Sequence, residues 1–253
     1  VTLPLDLDAL ADNLAKTYLA IAHGLPATKS VSGNGFFGVI NPFEHPICNF
    51  AICSNSDAIE GDKLYDLAKE RKHFNVYVCH PVQSSSADPT LLASGFAKRY
   101  ALSQMAGKMG SPGPTIDLRA APLKADRLKL AQFMALQFFS GQPQHIQDMI
   151  AKSSAEPSEL SLFEAVSHEV RRGPLGAVML HRTPNVMGLY NLCVALPYRS
   201  RGFGAAIVRS VQKMALDLGF TVGLQCDSQL ENWYAQFGME RAGIVSVFGL
   251  ERR

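Results

Sequence analysis

The chain has 253 residues, of which 47% are hydrophobic and 18% charged, and its formal net charge is +2. This composition supports a sizeable core and excludes intrinsic disorder, and the length allows one large domain or two small ones. The near balance of charge excludes a protein dominated by phosphate-backbone contacts to nucleic acid, and no apolar run reaches the roughly 18 residues of a membrane span.

From the N-terminus, Leu7, Leu10, Leu14, Tyr18 and Ile21 recur at three- and four-residue steps. That spacing predicts an amphipathic helix over 6–22, ended by Gly24 and Pro26. Strands are expected over 36–40 and 47–53, joined through Asn41-Pro42. A helix over 62–71, a strand over 74–79, a helix ending at Gly95 and a strand over 97–105 follow. The stretch 108–114, with Gly110, Ser111, Pro112, Gly113 and Pro114, is the best linker and divides the chain into 1–112 and 113–253. Beyond it the pattern restarts. A strand over 115–119 and helices over 125–139 and 143–152 precede strands over 160–166, 176–181 and 186–194. A long helix over 204–218, a strand over 222–226, a helix over 230–237 stopped by Gly238 and a strand over 244–250 complete the order. The whole is α+β.

The most informative stretch is Leu192-Cys193-Val194-Ala195-Leu196-Pro197-Tyr198-Arg199-Ser200-Arg201-Gly202-Phe203-Gly204-Ala205. It reads as a strand, a basic turn with glycines, and a helix start. Free N–H groups at a helix N-terminus, backed by the helix dipole, bind phosphate. Gly202 and Gly204 allow close backbone approach, and Arg199 and Arg201 add positive charge. The turn alone reads equally well as a basic β-α connection with glycines for geometry. It is neither the GxxxxGK[ST] phosphate loop nor the GxGxxG dinucleotide fingerprint.

A second stretch changes the weight: Gln229-Leu230-Glu231-Asn232-Trp233-Tyr234-Ala235-Gln236-Phe237-Gly238-Met239. Together the two resemble the GNAT superfamily of N-acetyltransferases. There a Q/R-x-x-G-x-G/A turn follows the fourth strand, matched by Arg199, Gly202 and Gly204. An aromatic-Tyr-x-x-x-Gly-hydrophobic pattern comes later, matched by Trp233, Tyr234, Gly238 and Met239. The element order of 113–253 fits as well.

The resemblance implies a mixed, mostly antiparallel sheet with a central V-shaped splay, flanked by helices. It implies acetyl-CoA as co-substrate, with Arg199, Ser200, Arg201, Gly202, Phe203, Gly204 and Ala205 holding the pyrophosphate. The backbone of Leu192, Cys193 and Val194 would pair with the pantetheine as an added strand, in a gap between the strand ending at Val194 and the one beginning at Val222. Tyr234 would protonate the departing CoA thiolate, or at least hydrogen-bond the thioester sulfur. Direct attack by an amine in a ternary complex also needs a base and an oxyanion donor. The strands beside the gap offer Tyr190, Asn191, Cys193, Gln225 and Cys226 but no acid before Asp227. Asp227 and His181 are base candidates only if they face the cleft, and a water chain could also serve, so the base stays unassigned.

Other reactive residue types read as structural. Cys48, Cys53, Cys79, Cys193 and Cys226 are odd in number and contain no CxxC pair. Neither a disulfide framework nor a zinc site is expected, and a reducing cytoplasm is the default. Cys193 is expected to be a small strand residue rather than a nucleophile. His181 is expected to be exposed. The remaining histidines lack metal-ligand spacing, so no metal is expected. No basic-then-apolar segment opens the chain, so no signal peptide is expected.

Residues 36–107 run strand, strand, helix, strand, helix, strand, and Leu91-Leu92-Ala93-Ser94-Gly95-Phe96 resembles the close of a GNAT domain. The corresponding turn, near 53–63, has one glycine, no Arg and three acids. Pro89, Thr90 and Leu91 stand where the helix-terminal Tyr belongs. This half reads as a degenerate GNAT-like module in tandem with the second, the alternative being an unrelated α+β cap. The functional expectation is transfer of acetyl to the primary amine of a small molecule or peptide, with no nucleic-acid or membrane partner, and a homodimer is allowed. The alternatives are another acyl-CoA donor or a non-catalytic acyl-CoA-binding regulator.

Overall fold

The computed structural model describes residues 6–53, 58–81, 87–107, 112–167 and 173–251. The first half begins with α1 (Leu7–His23), whose N-terminus is capped by the Asp6 carboxylate accepting from the Ala9 N–H at 3.0 Å. There follow β1 (Lys29–Gly33), β2 (Phe36–Ile40), β3 (Phe50–Cys53), α2 (Gly61–Lys69), β4 (Asn75–His80), α3 (Ala87–Ala93) and β5 (Phe96–Gly107). The second half contains β6 (Asp117–Ala120), α4 (Lys124–Phe139), α5 (Gln144–Ala155), β7 (Leu160–Val166), β8 (Gly176–Arg182) and β9 (Val186–Val194). It ends with α6 (Phe203–Asp217), β10 (Thr221–Cys226), α7 (Glu231–Ala235) and β11 (Glu240–Leu250). β1 escaped the sequence reading because it is a polar, mostly exposed edge strand with Val31 as its lone large apolar residue.

All the strands among the described residues join one 11-stranded sheet, in the order β1-β2-β3-β4-β11-β5-β10-β9-β8-β7-β6. The order is close to a palindrome. The run β1-β2-β3-α2-β4-α3-β5 recurs as β7-β8-β9-α6-β10-α7-β11, with matching pairing senses: β3 and β4 are parallel, as are β9 and β10, and the other pairs are antiparallel. The two halves exchange their last strands. β5 of the first half lies between β10 and β11, and β11 of the second lies between β4 and β5. Residues 108–111 of the linker lie outside the described residues.

On one face, α6 and α7 bury Leu180, Leu189, Val208, Val211, Leu224 and Phe237. On the other, α4 and α5 cover Leu162, Met179 and Tyr190, and α1 spans the middle of the sheet. Three glycines let α1 settle directly on the strands. A Cβ on Gly243, Gly223 or Gly188 would stand 2.6 Å from Leu7 Cδ1, 2.5 Å from Leu10 Cδ2 or 2.0 Å from Asn13 Oδ1. Full burial of a side chain such as Leu10 or Leu14 contributes about 1.5–3 kcal/mol.

The polar side chains of α1 find partners on the second half. Asn13 donates from Nδ2 to the His181 carbonyl at 3.0 Å and to Thr183 Oγ1 at 3.1 Å, and its Oδ1 accepts from Tyr190 Oη at 2.7 Å. Thr17 Oγ1 donates to the Asn13 carbonyl at 2.7 Å and lies 2.8 Å from His181 Nδ1. His181 is therefore 6% exposed, contrary to the sequence expectation, because a helix far away in sequence covers it.

Burial lowers the pKa of His181 and, together with the neighbouring His73, that of His45. Because the fold favours the neutral imidazole, each contributes stability that is present above about pH 6.5 and lost as pH falls below it. The thermal midpoint is expected to decline as pH falls below about 6.5, and to decline less in His181→Gln. An equal decline in that variant would show that His181 is not a source of it.

Candidate functional site

The parallel pairing of β9 with β10 runs Thr221↔Val186, Val222↔Met187 and Gly223↔Gly188, and stops there. Beyond that point Leu224, Gln225 and Cys226 stay with β5, and β9 continues against β8 alone. The strands diverge, and one backbone edge of β9 faces a gap. At this place β9 carries an irregularity: its register with β8 shifts between Ala177 and Met179, and Asn191 takes a left-handed φ of +49°. Asn tolerates that conformation better than most residues. Leu192 and Val194 pack toward α6, whereas Cys193 is buried toward α4 and α5. Burial pushes the Cys193 thiol up to about 12, which matches a structural rather than a nucleophilic cysteine.

The turn after β9 opens with a short 3₁₀ segment, Leu196–Tyr198, and ends with Gly202 at φ +82° as the cap residue of α6. A side chain on Gly202 would point into open space. The first intrahelical bond runs from Ala206 N–H to Gly202 C=O at 3.0 Å, so the N–H groups of Phe203, Gly204 and Ala205 precede the helical ladder. No side chain caps this terminus and no acidic residue sits in its first turn. Arg199 donates from Nε to the Val194 carbonyl at 3.0 Å and from Nη2 to Gln137 Oε1 at 3.1 Å. The Arg201 guanidinium lies 5.9 Å and 5.7 Å from the ring centres of Tyr198 and Phe203. This terminus of a 15-residue helix is thus electropositive and suited to an anion.

The second motif packs onto the first. The Trp233 ring lies 3.7 Å from where a Cβ on Gly204 would stand, with Val194 at 3.9 Å from the same point. Trp233 contacts Tyr234 and Phe237 edge-on, with centroids 4.7 Å and 5.0 Å away, and Gln212 of α6 donates to the Phe237 carbonyl at 2.8 Å. Tyr234 is 6% exposed and shares a cluster with Leu224 and Cys226 of β10. Burial, and then the neighbouring Cys226, raise its pKa above that of a free phenol. Leu192, Val194, Tyr198, Phe203 and Ala205 thereby pack against the same apolar cluster as Tyr234, while the Cys193 side chain lies on the other face.

Both base candidates carry a hydrogen bond, Asp227 at the exposed surface and His181 in the interior. Asp227 Oδ1 accepts from the Gln229 N–H at 2.9 Å, capping the turn before α7, and His181 is turned into α1. Glu231 accepts from Ser103 and pairs with Arg241 at 3.1 Å. Among the described residues no group of three or more His, Cys, Asp or Glu could hold a metal, and no helix is long and apolar enough to cross a membrane.

The first half lacks the same geometry. β3 pairs in parallel with β4 along its whole length, to Cys53↔Val78, so no gap opens in the described part of that pair. Glu60 precedes α2 and Asp62 stands in its first turn, the wrong charge for an anion. Leu91, fully buried on α3, falls four residues before Gly95 as Tyr234 does before Gly238. Residues 54–57 of the corresponding turn lie outside the described residues.

Residues 128–239 match the acetyltransferase (GNAT) family. No curated protein matches the sequence. Among solved structures, the chain is similar to a GCN5-related N-acetyltransferase from Kribbella flavida, with a TM-score of 0.68 and 11% identity over 100% of this chain and 98% of that one. It is similar to a tandem GNAT protein from the clavulanic acid biosynthesis pathway, with a TM-score of 0.60 and 12% identity over 97% and 96% of the two chains. A GNAT-family acetyltransferase from Colwellia psychrerythraea gives 0.55 and 14% over 97% of each. At such identities the likeness is one of fold.

Proposed function

We propose that this chain, whose residues 128–239 are a GNAT-family acetyltransferase domain, transfers acetyl from acetyl-CoA to a primary amine within a ternary complex. The observation that carries this reading is the alignment of three features: the unpaired edge of β9 past Gly188, the uncapped N-terminus of α6, and Tyr234 beside β10. In the reaction, the amine nitrogen attacks the thioester carbonyl, the C–S bond breaks, and the amine loses one proton. Tyr234 supplies a proton to the thiolate that leaves and regains one from the water that carries away the amine proton. The N–H groups of Phe203, Gly204 and Ala205, with the two arginines, hold the pyrophosphate, and the edge of β9 takes the pantetheine amides. In this reading a water chain carries the amine proton. A thiol-release screen across polyamines, amino acids, aminoglycosides and peptide N-termini tests the reading. Acetyl-CoA binding without release on any acceptor would favour the non-catalytic regulator, and release only with longer donors would favour another acyl-CoA.

One binding event per chain is expected, because β3 and β4 stay paired where β9 and β10 part. Calorimetric titration with CoA checks this. Two equivalent sites would mean that the first half also binds, and none would overturn the assignment.

A further inference from the structure

Gln104 lies on β5, the strand the first half lends to the second, and it is wholly buried with neither carboxamide atom hydrogen-bonded among the described residues. Strand alternation turns it toward α1, since Ala106 two residues on packs with Leu10. Its register partner on β10 is Gln225, which faces the same way, because Gly223 two residues earlier meets Leu10. On β9, Tyr190 also points to α1 through its bond to Asn13, and Gln225 and Thr17 both lie within reach of its hydroxyl. Tyr190 and Gln225 sit two residues beyond the last β9–β10 pair, at the point where the strands part. A neutral polar patch therefore spans the gap on the face opposite α6 and α7. On β11, Gly243 leaves the space beside Gln104 Oε1 without a side chain, and Leu7 of α1 overlies it.

A buried carboxamide without partners destabilises the folded protein, and an apolar side chain of similar volume would remove that penalty. Such a group is accounted for when a ligand pairs with it. With the acyl donor entering beside α6, the acceptor amine must approach from the α1 face. A carboxamide offers a donor and an acceptor in one plane, the complement of another amide. The neighbours Asn13, Thr17, Tyr190 and Gln225 carry no charge to offset a buried carboxylate or second ammonium.

We propose that Gln104 binds the acceptor, pairing with an amide next to the reacting amine, so that the acceptors are α-amino amides such as peptide N-termini. Leu7, half-buried in the first turn of α1, swings aside to admit them. This assignment rests on the acyl-transfer reading above.

The test compares alaninamide with isopropylamine, which lacks the amide, in the native chain, Gln104→Leu and Gln104→Met. The native enzyme is expected to favour alaninamide in kcat/KM by about tenfold or more. In Gln104→Leu that preference collapses through a higher KM for alaninamide. Acetyl-CoA affinity stays within about twofold, and the thermal midpoint is equal or higher. Gln104→Met gives the same result if the leucine variant does not fold. Equal use of both amines by the native chain would overturn the proposal, as would an unchanged alaninamide KM in a folded variant. If no amine supports thiol release, the acyl-transfer reading fails, and calorimetry of alaninamide on CoA-saturated protein still decides the role of Gln104. Binding to the native chain that is lost in the variants supports it, and no binding to the native chain refutes it.

Discussion

Replacing Tyr234 by Phe is expected to lower turnover by roughly 10²–10⁴-fold while leaving acetyl-CoA affinity close to native, as for a positioned general acid. The substitution removes one oxygen and keeps the ring that Trp233 meets edge-on at 4.7 Å. Burial raises the Tyr234 pKa, so the phenol stays protonated throughout the pH range in which a thiol, with a pKa near 8.5, leaves as thiolate. The proton donor is thus present at neutral and mildly alkaline pH, and Tyr234 should add no alkaline limb to the rate profile. The measurement is kcat, with the chemical step shown to limit the rate, alongside the Kd for acetyl-CoA. An unchanged kcat would make Tyr234 a packing residue of the α7–β10 contact and strengthen the regulator reading.

Gly204→Glu is expected to weaken acetyl-CoA binding by at least about tenfold, or 1.4 kcal/mol, with the fold retained. A side chain here would begin 3.7 Å from Trp233 and 3.9 Å from Val194, both ordinary contacts, so the helix accepts it. The carboxylate would then stand in the first turn of α6, which has no acid in the native chain, and repel a pyrophosphate. Gly202→Glu should act in the same direction but less cleanly, because φ at Gly202 is +82° and a side chain there strains the backbone. Calorimetry for affinity and circular dichroism for the fold separate the two effects. Affinity within tenfold of native in a folded Gly204→Glu would place the anion elsewhere.

Much of the candidate site was legible in the sequence because its motifs are local. The spacing of Arg199, Gly202 and Gly204 fixes a turn, and Trp233, Tyr234 and Gly238 lie on one short helix and its end. The helices were legible for the same reason: Leu7, Leu10 and Leu14 repeat at a period that only one face of a helix satisfies. What depends on distant partners was not legible. His181 reads as the polar end of a strand until α1 is laid over it. Gln104 reads as an ordinary strand residue, and its lack of a partner becomes visible only with its burial. Nothing in β5 or β11 marks the exchange, since the alternating patterns of both would fit either neighbour.

The exchange has a consequence for how the chain is made. A ribosome delivers β5 long before β10, its neighbour, and delivers β11 last of the described strands, although β11 belongs between β4 and β5. While the rest is being synthesised, β4 and β5 wait with bare edges, the arrangement most prone to pairing with the wrong strand. The first half therefore cannot finish folding in the order it is made. Its sheet reaches the observed strand order only when the far end of the chain returns to it.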